Sequence, residues 1–146
     1  MGRKTIKSIY LVDDDPDDRE IFAELLHEAG PWVDLRLIES GAGLMQVLCL
    51  SPDPMPDVIL LDINMPLKDG LECLKEIRDR ADDVKNSKII MYSASGSPRS
   101  IAEAKELGAD FYAVKPWFYR DLKSLVQKIL EISWDAPRGE QDFRLS

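Results

Sequence analysis

Carboxylates placed where strands end carry the chemistry of this chain. Asp62 closes the apolar run Val58-Ile59-Leu60-Leu61 and is followed by Ile63-Asn64-Met65-Pro66. An uninterrupted apolar run of that length reads as a parallel strand buried on both faces. Its last residue then lies at the carboxyl edge of the sheet, where open α/β sheets bind ligands. A second acidic cluster, Asp13-Asp14-Asp15, follows the apolar run Ile9-Tyr10-Leu11-Val12. Two strand ends that deliver acidic oxygens to one rim point to a site for a divalent metal and a phosphoryl group. Carboxylates about 4 Å apart repel by about 4 kcal/mol at an effective dielectric of 20. A divalent cation is therefore expected to raise the melting temperature, and Asp14→Asn to stabilise the metal-free protein.

The elements that must hold these groups alternate along the chain. Strands are predicted at about 6–12, 33–38, 57–62, 88–92 and 111–114, and helices at about 16–29, 41–50, 70–80, 98–107 and 119–132. Such alternation implies right-handed crossovers and a parallel sheet covered on both faces. Asp15 is placed to cap the first helix, with Pro16 at its first position and Gly30-Pro31 as its stop. Its inward face is predicted to be Ile21, Phe22, Leu25, Leu26 and Ala29. Ser97-Pro98 opens the fourth helix and Gly108 closes it. The segment Ser51-Pro52-Asp53-Pro54-Met55-Pro56 reads as a loop, and residues 133–146 as a short polar tail after one domain spanning 6–132.

Bulk properties narrow the function classes. At 146 residues the chain suffices for one domain with a core. A formal net charge of −8 argues against nucleic-acid binding by the domain. Cys49 and Cys73, the two cysteines, are expected to be buried reduced thiols. Arg3, Lys4 and Lys7 are not followed by a signal-type apolar region, and no stretch is long enough to span a bilayer. The chain is expected to be soluble, cytoplasmic and free of membrane contact.

Four strand ends, those of the first, third, fourth and fifth strands, matter together. The motifs are Leu11-Val12-Asp13-Asp14, Leu61-Asp62-Ile63-Asn64-Met65-Pro66, Asp69-Gly70, Met91-Tyr92-Ser93-Ala94 and Val114-Lys115-Pro116. In these residues the sequence resembles the receiver domains of two-component response regulators, over about residues 6–132. The resemblance implies a doubly wound, flavodoxin-like five-stranded parallel sheet of order 2-1-3-4-5. It implies that Asp62 accepts a phosphoryl group from a sensor histidine kinase or a phosphotransfer protein. Mg²⁺ would be held by Asp13, Asp14, Asp62 and the backbone carbonyl of Asn64. Ser93 and Lys115 would each bond a phosphoryl oxygen. Tyr112 occupies the place of an aromatic switch residue that turns inward on activation. The fourth helix, fifth strand and fifth helix would carry the change to a downstream effector. A stand-alone receiver is expected, a signalling phosphoacceptor rather than an enzyme that turns over.

Rival readings fit these residues less well. A haloacid-dehalogenase-type phosphatase also uses an aspartate nucleophile, but wants a second Asp where Asn64 stands. A flavin module should not line its phosphate loop with carboxylates. A receiver-like interaction module that signals without phosphorylation would not need every site position filled. The run Asp13-x-Asp15-x-Asp17 imitates a calcium loop, yet Asp18 holds the glycine position and a strand precedes it. Asp15, Asp17 and Asp18 read as capping and helix-dipole residues, and His27 as a surface helix residue. Trp117 is expected in the core, with Phe118 and Tyr119 as candidates for a partner or homodimer surface.

Overall fold

The computed structural model describes residues 6–50, 52, 55–132, 134 and 143–145. Five parallel strands, β1 (Ser8–Val12), β2 (Asp34–Ile38), β3 (Val58–Asp62), β4 (Lys88–Ser93) and β5 (Phe111–Val114), form one sheet ordered β2-β1-β3-β4-β5. The helices are α1 (Pro16–Ala29), α2 (Gly41–Cys49), α3 (Gly70–Arg78), α4 (Pro98–Glu106) and α5 (Tyr119–Glu131), with a 3₁₀ turn at Asp83–Asn86. The alternation of apolar runs and amphipathic stretches predicts a parallel sheet with helices on both faces, and the observed order is the doubly wound one that the resemblance implies.

The period of two along each strand divides the core. Ile9, Leu11, Val58, Leu60, Ile90 and Tyr92 pack with Phe22, Leu25 and Leu26 of α1 and Leu125, Val126 and Ile129 of α5. Tyr10, Val12, Ile59, Leu61, Ile89 and Met91 face the opposite side, against Leu44, Leu48, Cys73, Leu74 and Ile77. The central strand β3 is buried along its whole length, which is why its sequence shows no polar alternation. The register brings the strand ends level: Val12 pairs with Leu61, Asp62 with Tyr92, and Ser93 with Val114. Residues that follow these positions therefore meet at one rim.

Helix starts fix the geometry of that rim. The Asp15 side chain accepts the backbone N–H groups of Asp17 and Asp18, and Pro16 opens α1. Ser40 and Ser97 cap α2 and α4, and Asp69 with Glu72 forms a reciprocal capping box on α3. Gly70 is required by space: a Cβ there would lie 2.2 Å from the carbonyl oxygen of Asp62.

Three placements differ from the sequence reading. Trp117 is 95% exposed, because it lies in the link between β5 and α5, outside a face already filled by Leu122 and Leu125. Cys49 is exposed while Cys73 is buried; the buried stripe of α2 is Gly41, Leu44 and Leu48, and one residue further the helix turns outward. Ile21 sits at the outer margin of α1 beside the buried trio Phe22, Leu25 and Leu26. The tail, where described, does not simply leave the domain. Tyr112 N–H donates to Phe143 O at 2.9 Å and Leu145 N–H to Tyr112 O at 2.7 Å, so residues 143–145 pair with the edge of β5. The edge of β5 offers backbone groups that need such partners. Apart from Trp134, the rest of the tail lies outside the described residues, as do Ser51, Asp53 and Pro54 of the proline-rich loop and the basic residues Arg3 and Lys4. Among the described residues no helix is long and apolar enough to cross a membrane.

Candidate functional site

The ends of β1, β3 and β5 bring Asp13, Asp62 and Lys115 into direct contact. Lys115 Nζ donates to Asp13 Oδ2 at 2.9 Å, to Asp62 Oδ2 at 3.1 Å and to Asp18 Oδ2 at 3.2 Å. An ammonium has three donors, and each reaches a different carboxylate. Asp13 and Asp62 are buried, and their remaining oxygens are also engaged. Asp13 Oδ1 accepts Asp15 N–H at 3.0 Å, and Asp62 Oδ1 accepts Asn64 N–H at 3.0 Å. Asp14 is exposed at the mouth.

Burial at the strand end pushes the Asp62 carboxyl up from the ordinary 3.8 to about 6; the Lys115 ammonium works against this rise and the nearby Asp13 charge adds to it. For Lys115, burial alone would disfavour the charge. The hydrogen bond to Asp13 and the charges of Asp62 and Asp13 outweigh it, and the ammonium is held well above its ordinary range. Lys115 also lies 5.1 Å from the centroid of the Tyr92 ring.

Ligand oxygens of Asp13, Asp14 and Asp62 lie within 4.8 Å of one another. A set of hard carboxylate oxygens with one member open to solvent suits a divalent cation that keeps part of its water. The buried pair shares a single lysine, so the donor set carries surplus negative charge, and a cation fits it.

The remaining predicted residues surround this centre. Ser93 is buried, with its hydroxyl accepting Ser95 N–H at 3.1 Å and Asn64 Nδ2–H at 3.4 Å. Asn64 thus joins the serine to the Asp62 loop. Lys115 N–H donates to Ser93 O at 2.7 Å, tying β5 to β4 at the rim. Tyr112 is not in the acidic cluster. It is fully buried on the α3 side of the sheet, and its hydroxyl donates to Ser95 O at 2.6 Å. His27 is exposed on α1, away from the rim.

Sequence reasoning missed two contributors. Asp18 reads as a dipole residue of the first turn of α1, but it also grips Lys115 from 97 positions away. Arg19 donates to Asp13 O at 2.7 Å and pins the end of β1. The only sequence signal for either is that α1 starts at the rim, so its first turn must face the strand ends. Close to the site, Leu67 has φ 69°, and Lys68 N–H donates to Pro66 O at 2.8 Å, a tight three-residue turn that an L side chain rarely adopts. The turn sends the chain back so that Gly70 N–H meets Ile63 O at 3.0 Å and α3 can begin behind Asp62.

Comparison with known proteins agrees with this arrangement. A family model described as the response regulator receiver domain matches residues 9–127. The transcriptional regulatory protein CpxR of Klebsiella pneumoniae is 35% identical over 128 residues, which cover 88% of this chain and 51% of that protein. The chain spans about half the length of the curated relatives it matches. Among solved structures, the Mn(2+)-bound form of response regulator Rcp1 superposes with a TM-score of 0.78 at 29% identity, covering 90% of this chain and 97% of that one. The phosphorylated cyanobacterial phytochrome response regulator RcpA gives 0.80 at 28% identity, covering 89% and 95%.

Proposed function

The chain belongs to the response regulator receiver family, and we propose that Asp62 is its phosphoacceptor, charged by a histidine kinase or a phosphotransfer protein. The observation that carries this reading is the lysine bridge: one ammonium holds Asp13 and Asp62 together beside a cluster of acidic oxygens. In the transfer, an Asp62 oxygen forms a bond to phosphorus while the bond from phosphorus to the donor's imidazole nitrogen breaks. The nitrogen keeps that electron pair, and the product is an acyl phosphate on Asp62. Lys115 supplies positive charge to a phosphoryl oxygen, and Ser93 a hydroxyl donor. Asn64 N–H holds Asp62 Oδ1 and so leaves Oδ2 as the attacking atom once Lys115 shifts to the phosphoryl group.

A divalent cation fits the carboxylate cluster, and Mg²⁺ would be held by Asp13, Asp14, Asp62 and the carbonyl of Asn64. When bound, it supplies neutralisation of phosphoryl charge and alignment of the incoming group. The Mn(2+)-bound relative supports a divalent metal at such a site.

The signal leaves through residues that are linked to the site by hydrogen bonds. Ser93 and Tyr112 are both tied to Ser95, the first through its backbone N–H and the second through its carbonyl. A change in what the Ser93 hydroxyl bonds is therefore transmitted to Tyr112 and to the start of α4. Phosphorylation then favours one of two arrangements of α4, β5 and α5, in the manner of a population shift. The effector or second copy that reads that face is a protein, a reading supported by the net charge of −8.

Labelling with acetyl phosphate tests the proposal. Wild type with Mg²⁺ should take up one phosphoryl group, and Asp62→Ala or wild type in EDTA should take up none. Equal labelling of Asp62→Ala would place the acceptor elsewhere, and steady turnover of a phosphate monoester would point to a phosphatase instead.

A further inference from the structure

Lys115 divides its three donors unequally in chemical terms. Asp13 and Asp62 are buried and belong to the carboxylate cluster that suits a cation. Asp18 is outside that cluster: its side chain is 39% exposed, and it approaches the ammonium from the first turn of α1 rather than from a strand end. A cation held by Asp13 and Asp62 would leave Asp18 at full charge, so Asp18 is the carboxylate whose pull on Lys115 the cation would not offset.

We infer that Asp18 is a positioning residue that holds Lys115 on the α1 side of Asp62 and competes with the phosphoryl oxygens for its ammonium. The inference rests on the phosphoacceptor reading above and names a regulator of the same site. Geometry gives it direction. All three donors of Lys115 are occupied in the unphosphorylated protein; the one on Asp62 Oδ2 is freed when that oxygen attacks, so how far the ammonium can follow the phosphoryl group is set by its hold on Asp13 and Asp18. Asp13 is fully buried and held by Asp15 N–H, so its release is costly. Asp18 can turn into water, so it is the partner that gives way. The cost of that release is carried by every phosphorylation event, and the same contact recaptures the lysine afterwards.

The test measures binding of beryllofluoride, as a phosphoryl analogue, to the full chain at saturating Mg²⁺, read by Trp and Tyr fluorescence. Asp18→Asn should tighten the analogue about fivefold, because the competing charge is gone while the helix position keeps a polar residue. Asp18→Glu, which keeps the ion pair, should bind within about twofold of wild type. The decisive arm repeats Asp18→Asn in a Lys115→Met background. If Asp18 acts through the lysine, its substitution there should change affinity by less than about twofold. An unchanged affinity for Asp18→Asn in the native background would overturn the inference. A gain that persists without the lysine would overturn it too, since plain repulsion of the analogue would then suffice. In either case wild type still binds the analogue and the phosphoacceptor reading stands. Failure of wild type to bind it at all would remove that reading, and the inference with it.

Discussion

Replacing Asp62 by Asn should stabilise the metal-free protein at neutral pH, and the gain should vanish in acid. Asp62 is 3% exposed, and its carboxyl is pushed from 3.8 to about 6 even with Lys115 beside it. The folded chain therefore keeps a proton that the unfolded chain has already released. Stability contributed by that proton is complete below about pH 4 and is lost as pH rises through about 6. The rise corresponds to about 3 kcal/mol, the amount by which an ionised Asp62 weakens the fold. Asparagine has the shape of the protonated acid and can still accept Asn64 N–H, so Asp62→Asn should recover most of this amount above pH 7. Urea unfolding in EDTA, run on both proteins from pH 3.5 to 8, gives the difference directly, since every other carboxylate is common to the two. A gain of about 3 kcal/mol at pH 7.5 that shrinks towards zero near pH 4 is expected. Saturating Mg²⁺ should reverse the order, because wild type gains the binding free energy and the variant gains less. A wild type that is the more stable partner in EDTA at pH 7.5, or a gain independent of pH, would refute the reasoning.

Three further outcomes are expected. Asp14→Asn should weaken Mg²⁺ roughly tenfold or more, as titrated by Trp fluorescence. It should change the metal-free melting temperature little, because Asp14 is exposed and its repulsion is screened; the larger metal-free effect moves to Asp62. Gly70→Ala should cost about 3 kcal/mol in chemical denaturation and abolish labelling, since a methyl group 2.2 Å from the Asp62 carbonyl must displace the phosphoacceptor strand end or the start of α3. A chain ended before Phe143 should lose about 2 kcal/mol with the two backbone hydrogen bonds at Tyr112 and the packing of Phe143 and Leu145. Its uncovered β5 edge should give a concentration-dependent dimer on size exclusion that the full chain lacks at the same concentration.

The strand ends were legible in the sequence because burial on both faces leaves a plain apolar signature. Val58–Leu61 has no polar residue, so Asp62 marks the end of β3, whereas the sheet order came from the resemblance to receiver domains and not from the pattern of apolar runs. Helix starts were legible for a similar reason: Asp15-Pro16 and Ser97-Pro98 act within one turn. What depends on direction in space was harder to read. Trp117 lies in a link whose path around the rim no periodicity records, and Ile21 and Cys49 lie about one residue off a buried stripe. The contact of Asp18 with Lys115 spans 97 positions, and its cause is the docking angle of α1. The pairing of residues 143–145 with Tyr112 needs an unfilled sheet edge, and a short polar segment does not announce which edge it will reach.

The central claim is that the acidic rim exists to hold a divalent cation beside an aspartate that is transiently esterified with phosphate. A crystal structure of the full chain with Mg²⁺ and beryllofluoride addresses it most directly. The account predicts the cation among Asp13, Asp14, Asp62 and the carbonyl of Asn64, beryllium joined to an Asp62 oxygen, and Lys115 turned from Asp18 onto a fluorine. A bare Asp62 with the cation bound elsewhere would contradict it.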